Sequence, residues 1–132
     1  MIPKKFPLVF FIVYGVGSLA MGLGDAFYPQ GVGGASSWGI VPGWIREIAC
    51  FDLCLAFLCG TCVWLIHETR VAQVVTRGLI VGSVLIGSNN LYAYVQSSRP
   101  GHLQAVIVHA VVIFCGLVTL AALRQRTPAV RA

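Results

Sequence analysis

Charge is what this sequence has least of. Asp, Glu, Lys and Arg supply 10% of its 132 residues, against about a quarter in an ordinary soluble domain, so water is excluded as its main solvent. Acidic groups are scarcest: Asp25, Glu47, Asp52 and Glu68 are the full set. With His109 they are the right types for a two-metal site, but the chain lacks the Glu-x-x-His spacing that such sites use, and no metal site is indicated. Cysteine is missing from the loops where a secreted protein would place its bridges. Cys50, Cys54, Cys59, Cys62 and Cys115 all lie in apolar runs, which excludes a disulfide framework. Phosphate-binding loops are lacking too. Gly15-x-Gly17 and the Gly31 to Gly34 cluster neither follow a strand nor precede a suitably spaced lysine.

What is there is hydrocarbon: 58% of residues are hydrophobic and the mean hydropathy is +0.86. A membrane span takes about 20 apolar residues, so the chain has room for four spans and short connections. The expected fold is all-α, an integral membrane four-helix bundle of up-down topology. Residues 1–132 form one domain with spans near 6–28, 44–67, 78–95 and 103–123.

The first run follows Lys4 and Lys5 and stays uncharged until Asp25. Ser18-Leu19-Ala20 offers the small residues of a signal-peptide cleavage site, but the apolar character continues beyond Ala20, which favours a span. Gly, Ser and Pro from Pro29 to Gly43 read as a loop. Trp44 stands where an interfacial aromatic would anchor the second helix, and Tyr92 and Tyr94 close the third as another aromatic belt. A connector with His67, Arg70 and Arg77 precedes the third span, and Arg99-Pro100-Gly101 marks the last turn.

The net charge of +5 comes from cations at the ends of apolar runs, not from a patch suited to nucleic acid, so no nucleic-acid partner is expected. Lys4, Lys5, Arg70, Arg77, Arg124, Arg126 and Arg131 fall on one side and Arg46 and Arg99 on the other. The positive-inside rule then places both termini in the cytoplasm. Small residues recur every fourth position in helix one (Ser18 and Gly22, Ala20 and Gly24) and in the third span (Gly78 and Gly82, Ser83 and Gly87). Such rows let helices approach closely, within one chain or across a homodimer; the occurrence on two helices favours packing within the chain.

Given that orientation, polar residues collect in the outer half. Asp52 lies about 12 Å below Trp44, Asn89 and Asn90 about 8 Å below the end of their span, and His109 about 10 Å below His102. Asp25 closes the first span. Ionisable groups in hydrocarbon cost a few kcal/mol or more, so Asp52 and His109 should face the bundle interior, where a site is the default expectation. Asp25, Arg46 and Glu47 fit either that site or a structural clasp near the interface. Asn89 and Asn90 point about 100° apart, so only one faces a given cavity and the other is expected to bridge helices.

Cys59-Gly60-Thr61-Cys62 matches the redox CxxC pattern, but it lies deep in a helix, away from the N-terminal position that activates such thiols. Haem ligation fails because His102 and His109 share one helix face and His67 is at the opposite surface. No cofactor is implied.

Pro42-x-Trp44 followed by Asp52-Leu53, an acid at Asp25, and Arg99-Pro100 before the last helix together resemble the EXPERA-type membrane proteins, which include sterol isomerases and the sigma-2 receptor. The match runs through most of the chain in order but rests on few positions. The short first loop, the absence of a proline inside the second helix and the small size depart from that pattern. Arg46-Glu47 with Asp52-Leu53 is equally similar to DoxX-like four-helix proteins.

The reading is a bundle with a polar pocket for a hydrophobic small molecule that is sterol-, terpenoid- or quinone-like. Asp52 and His109 are the candidate catalytic pair, and Asp25, Glu47, Asn89, Asn90, Trp44 and Tyr92 the candidate ligand-binding set. Acids and amides without a clear nucleophile suit isomerisation or cyclisation by proton transfer. Membrane lipid, the ligand, a homodimer or a larger membrane complex are the expected partners. The competing class is a non-catalytic accessory subunit whose polar groups serve only as interhelical hydrogen bonds.

Overall fold

A computed structural model describes residues 3, 5–33, 37–39 and 41–126. Lys4, Gly34 and Arg131, used above, lie outside the described residues. Five helices follow in order: α1 (Phe6–Phe27), α2 (Pro29–Gly33), α3 (Pro42–Trp64), α4 (Thr69–Ser97) and α5 (Pro100–Arg124). All but the short α2 are long and apolar enough to cross a membrane. In lipid every backbone group must be satisfied within its own segment, and helices meet that demand. Proline occupies one of the first two positions of α1, α3 and α5, where its fixed φ suits a helix start and its missing N–H costs nothing.

Two boundaries differ from the sequence expectation. The Gly/Pro-rich stretch is not all loop, since Pro29–Gly33 makes a helical turn and α3 begins at Pro42. The third span begins at Thr69, so Arg70 and Arg77 ride on α4 instead of a connector. Nothing between Thr69 and Arg77 breaks a helix. At 29 residues α4 is about 43 Å long, beyond the ~30 Å of hydrocarbon, and its extra turns carry these cations clear of the apolar layer.

The helices form two antiparallel pairs, α1 with α3 and α4 with α5, joined mainly through α1 against α5, while α3 and α4 meet sparsely. Glycines set the closest approaches. A Cβ at Gly22 would stand 3.0 Å from Leu53 Cγ and 3.1 Å from the Ala49 carbonyl oxygen, and one at Gly116 would stand 2.7 Å from Ile80 Cγ1. Of the small-residue rows, Ser18 with Gly22 and Ser83 with Gly87 are used inside the bundle; Gly24, Gly78 and Gly82 have open space beside them. The buried face of α4, Ala72, Thr76, Leu79, Ser83, Asn90 and Ala93, follows a three-four repeat, the period of a coiled-coil seam.

The largest apolar cluster lies toward one end of the bundle. Phe10 and Phe11 of α1, Cys59 and Cys62 of α3, Ala72 and Leu79 of α4 and Leu123 of α5 form one cluster. All come from the half of each helix nearer the chain termini, here called the terminal half. The other half, holding α2 and the α4–α5 turn, is called the loop half. There Ile45, Ala49 and Ala93 are buried beside polar groups: Asp25, Asn90 and His102 lie toward its end, with Ser18 and Ser83 near mid-bundle.

Candidate functional site

Polar side chains from all four long helices fall into two sets. In the outermost set of the loop half, His102 is the hub. Asn90 Nδ2 donates to the Ile86 carbonyl at 3.0 Å, which leaves Asn90 Oδ1 as an acceptor facing His102 Nδ1 at 3.0 Å. His102 Nδ1 therefore carries the proton and donates it, so Nε2 is bare. It accepts from the Ser37 backbone N–H at 3.1 Å and from the Ser37 hydroxyl at 2.8 Å. Trp38 packs its ring on the imidazole, centroids 4.8 Å apart. This chain of bonds pins the segment before α3 onto the α4–α5 hairpin.

A second set of polar groups is spread from Asp25, near the end of α1, down to Tyr14 and Ser83 at mid-bundle, about 16 Å along the helix axis. Asp52 of α3 is half-buried and within electrostatic range of Asp25 on α1. The Tyr14 hydroxyl lies within hydrogen-bonding reach of Ser83 and within electrostatic range of Cys59 and Asp52. Asp25 Oδ1, Ser83 Oγ and His109 Nδ1 are sealed from solvent and have no hydrogen-bond partner. Gly87 makes room for His109, whose Cβ would be 3.1 Å from a Cβ added there. Thr119 Oγ1, in the terminal half, is the one other buried side-chain polar atom among the described residues in that condition. Elsewhere hydroxyls bond back to their own helix, as Thr76 does to the Ala72 carbonyl at 2.7 Å and Ser97 to Ala93 at 2.7 Å.

The residues singled out from the sequence are distributed unevenly over these sets. Asp25, Asp52 and His109 belong to the second set, and Asn90 to the hub. Asn90 thereby bridges helices, and its neighbour Asn89 is exposed on the outside of α4. Trp44, Glu47 and Tyr92 are also exposed, as is Arg46, so the clasp of Asp25 with Arg46 and Glu47 is not assembled. Sequence reasoning passed over Tyr14, Ser83 and His102. His102 was findable in part: it stands two residues into α5, beside the turn that brings the end of α4 against the start of α5, where Asn90 is the amide within reach. Tyr14 and Ser83 carried no signal, because a lone hydroxyl in a span usually bonds to its own backbone.

All five cysteines are free, Cys59 and Cys62 buried and Cys50 and Cys54 exposed. Among the described residues no three His, Cys, Asp or Glu converge as metal ligands would. A shallow apolar groove on the α3 surface, lined by Phe57, Gly60, Thr61, Trp64 and Leu65, lies in the terminal half away from both polar sets. Four spanning helices make this an integral membrane protein, and no known family, curated protein or solved structure matches the chain.

Proposed function

We propose that the bundle binds a hydrophobic small molecule whose polar head is handled by Asp52 and His109. One observation carries this reading: three buried polar atoms on α1, α4 and α5 lack partners, although buried polar groups are nearly always paired and intramembrane ionisable groups mark functional sites by default. A ligand that is sterol-, terpenoid- or quinone-like would supply the missing partners. Both termini face the cytoplasm in this reading, which puts the site in the outer leaflet. Where the ligand reacts, Asp52 removes a proton from one carbon and a proton returns to another, with His109 as its relay. Isomerisation and cyclisation need no more than that. The resemblance of Asp25, Pro42-x-Trp44 and Asp52-Leu53 to EXPERA-type proteins points the same way, and the DoxX-like resemblance is neutral.

The test is Asp52→Asn, which preserves shape and hydrogen bonding but not charge. Native mass spectrometry of gently extracted protein is expected to find a retained hydrophobic molecule on the parent chain and none on the variant, at equal thermal stability in detergent. His109→Ala should weaken retention less. Retention by Asp52→Asn equal to the parent's sinks the reading. The second reading, an accessory subunit of a membrane complex, is favoured by the aromatic face of α3, where Phe57 and Trp64 are both strongly exposed. A stoichiometric partner subunit in the same spectra would support it.

A further inference from the structure

We propose that Ser37, His102 and Asn90 form an acyl-transfer site at the loop-half end of the bundle, with Ser37 as nucleophile toward carboxylic esters of membrane amphiphiles. Asp52 and His109 take no part in it, so this site stands apart from the binding reading above.

A serine hydroxyl is a weak nucleophile until a base takes its proton, and the base works best where a third group holds it in one tautomer and one orientation. All three parts are present. The Ser37 hydroxyl lies 2.8 Å from His102 Nε2, and His102 Nδ1 lies 3.0 Å from Asn90 Oδ1. Asn90 does not turn its other end to the ring, because its Nδ2 donates to the Ile86 carbonyl at 3.0 Å. The proton therefore stays on Nδ1, and the lone pair of Nε2 faces the hydroxyl. Asn90 and His102 are buried, whereas Ser37 is exposed. The base and its positioning residue are thus fixed, and the nucleophile is open to a substrate. Tying down the loop needs only an acceptor, which Nε2 supplies to the Ser37 N–H at 3.1 Å; the hydroxyl bond adds what a nucleophile requires.

The site also stands at the level of lipid ester bonds. With 25 residues α5 is about 37 Å long, against ~30 Å of hydrocarbon, so His102, its third residue, reaches the head-group region. Trp38, Val41 and Trp44 follow Ser37 in the chain and are all exposed, and tryptophan is enriched at that level. In the reaction, Ser37 Oγ forms a bond to the ester carbonyl carbon as its proton passes to His102 Nε2. Protonated Nε2 accepts no further bond, so the Ser37 N–H is released and is free to bond the carbonyl oxygen as that oxygen gathers negative charge. Collapse breaks the bond to the alcohol oxygen, which departs with the Nε2 proton and leaves the acyl group on Ser37. Water then gives a proton to Nε2 and its oxygen to the acyl carbon, and the bond to Oγ breaks as Oγ takes that proton back. One ester and one water become one acid and one alcohol.

The experiment treats the full chain in phosphatidylcholine nanodiscs with a hexadecyl fluorophosphonate, which loses fluoride to a serine activated in this way, and maps adducts by mass spectrometry. Ser98, exposed in the α4–α5 turn, is the internal reference. Ser37 is expected to react about a hundredfold faster than Ser98, the lower end of what a positioned base contributes; one rate for both serines overturns the proposal. His102→Gln keeps an acceptor for the loop but is no base, and should bring Ser37 down to the rate of Ser98 while the thermal stability stays close to the parent's. Fast labelling in that variant overturns the base. Asn90→Ala should slow the reaction about tenfold, and Asn90→Asp, which retains the acceptor, should restore it; equal rates in the two remove Asn90 as the positioning residue. An ethyl fluorophosphonate, which partitions poorly into the bilayer, should label Ser37 at least about tenfold more slowly, and equal rates for the two probes overturn the membrane amphiphile as substrate. With p-nitrophenyl palmitate in the same discs, the parent chain should release nitrophenol and Ser37→Ala should not. Equal release from both, or none from either, overturns the ester chemistry.

Discussion

Removing the imidazole of His102 tests the loop-half layer most directly. In His102→Ala, Ser37 loses an acceptor for both its N–H and its hydroxyl, and Asn90 Oδ1 loses its donor. The Ser37 groups are at the surface and turn to water, at a net cost of about 1 kcal/mol. Asn90 is buried, and an unpaired buried acceptor costs about 1–3 kcal/mol. The variant should therefore lose roughly 2–4 kcal/mol from these bonds, with the lost Trp38 ring contact adding about 0.5–1.5 kcal/mol. Asn90→Ala alone should cost less, because it also removes the buried amide that would be stranded. The double mutant then isolates the His102–Asn90 coupling, expected near 1 kcal/mol, within the range of about 0.6 to 1.7 found for polar pairs in membrane bundles. Reversible unfolding in mixed micelles measures all four corners, and hydrogen exchange at Ser37 to Gly39 should rise in both single variants. Additive mutations, with no coupling and no change in exchange, would refute the hub.

Three further outcomes are expected. Gly116→Ala puts a methyl 2.7 Å from Ile80 Cγ1, on a side chain stiff at χ1, and should cost about 1–3 kcal/mol in the same unfolding assay. Gly78→Ala, with open space beside it, should be neutral or stabilising. Membrane-permeant maleimide should modify the exposed Cys50 and Cys54 before the buried Cys59 and Cys62. Cys59→Ala/Cys62→Ala should keep ligand retention, since neither thiol is placed for exchange, and loss of retention with normal folding would restore the CxxC as redox chemistry. Reporters inserted at Gly33 and fused after Ala132 should lie on opposite sides of the membrane, the fusion in the cytoplasm; both on one side would break the topology.

Composition alone determined that this chain lives in a bilayer and crosses it four times, because the cost of exposing backbone and charge to hydrocarbon leaves a short apolar chain no other solution. The depth of Asp25, Asp52, Asn90 and His109 was legible too, since helical rise converts sequence position directly into height. Azimuth was not. Asn89 and Asn90 have the same chemistry one residue apart, and only the packing of α4 on α5 turned Asn90 inward to His102 and left Asn89 outside. The helix boundary at Thr69 shifted because a helix can run on past the hydrocarbon wherever no breaker stops it, and hydropathy marks only the hydrocarbon. The sparse contact of α3 with α4 was least legible of all. Ile48 and Leu79 are both ordinary apolar residues, yet one is 38% exposed and the other 4%. That difference arises from how two hairpins lean on each other, a property of contacts between distant segments that no local pattern encodes.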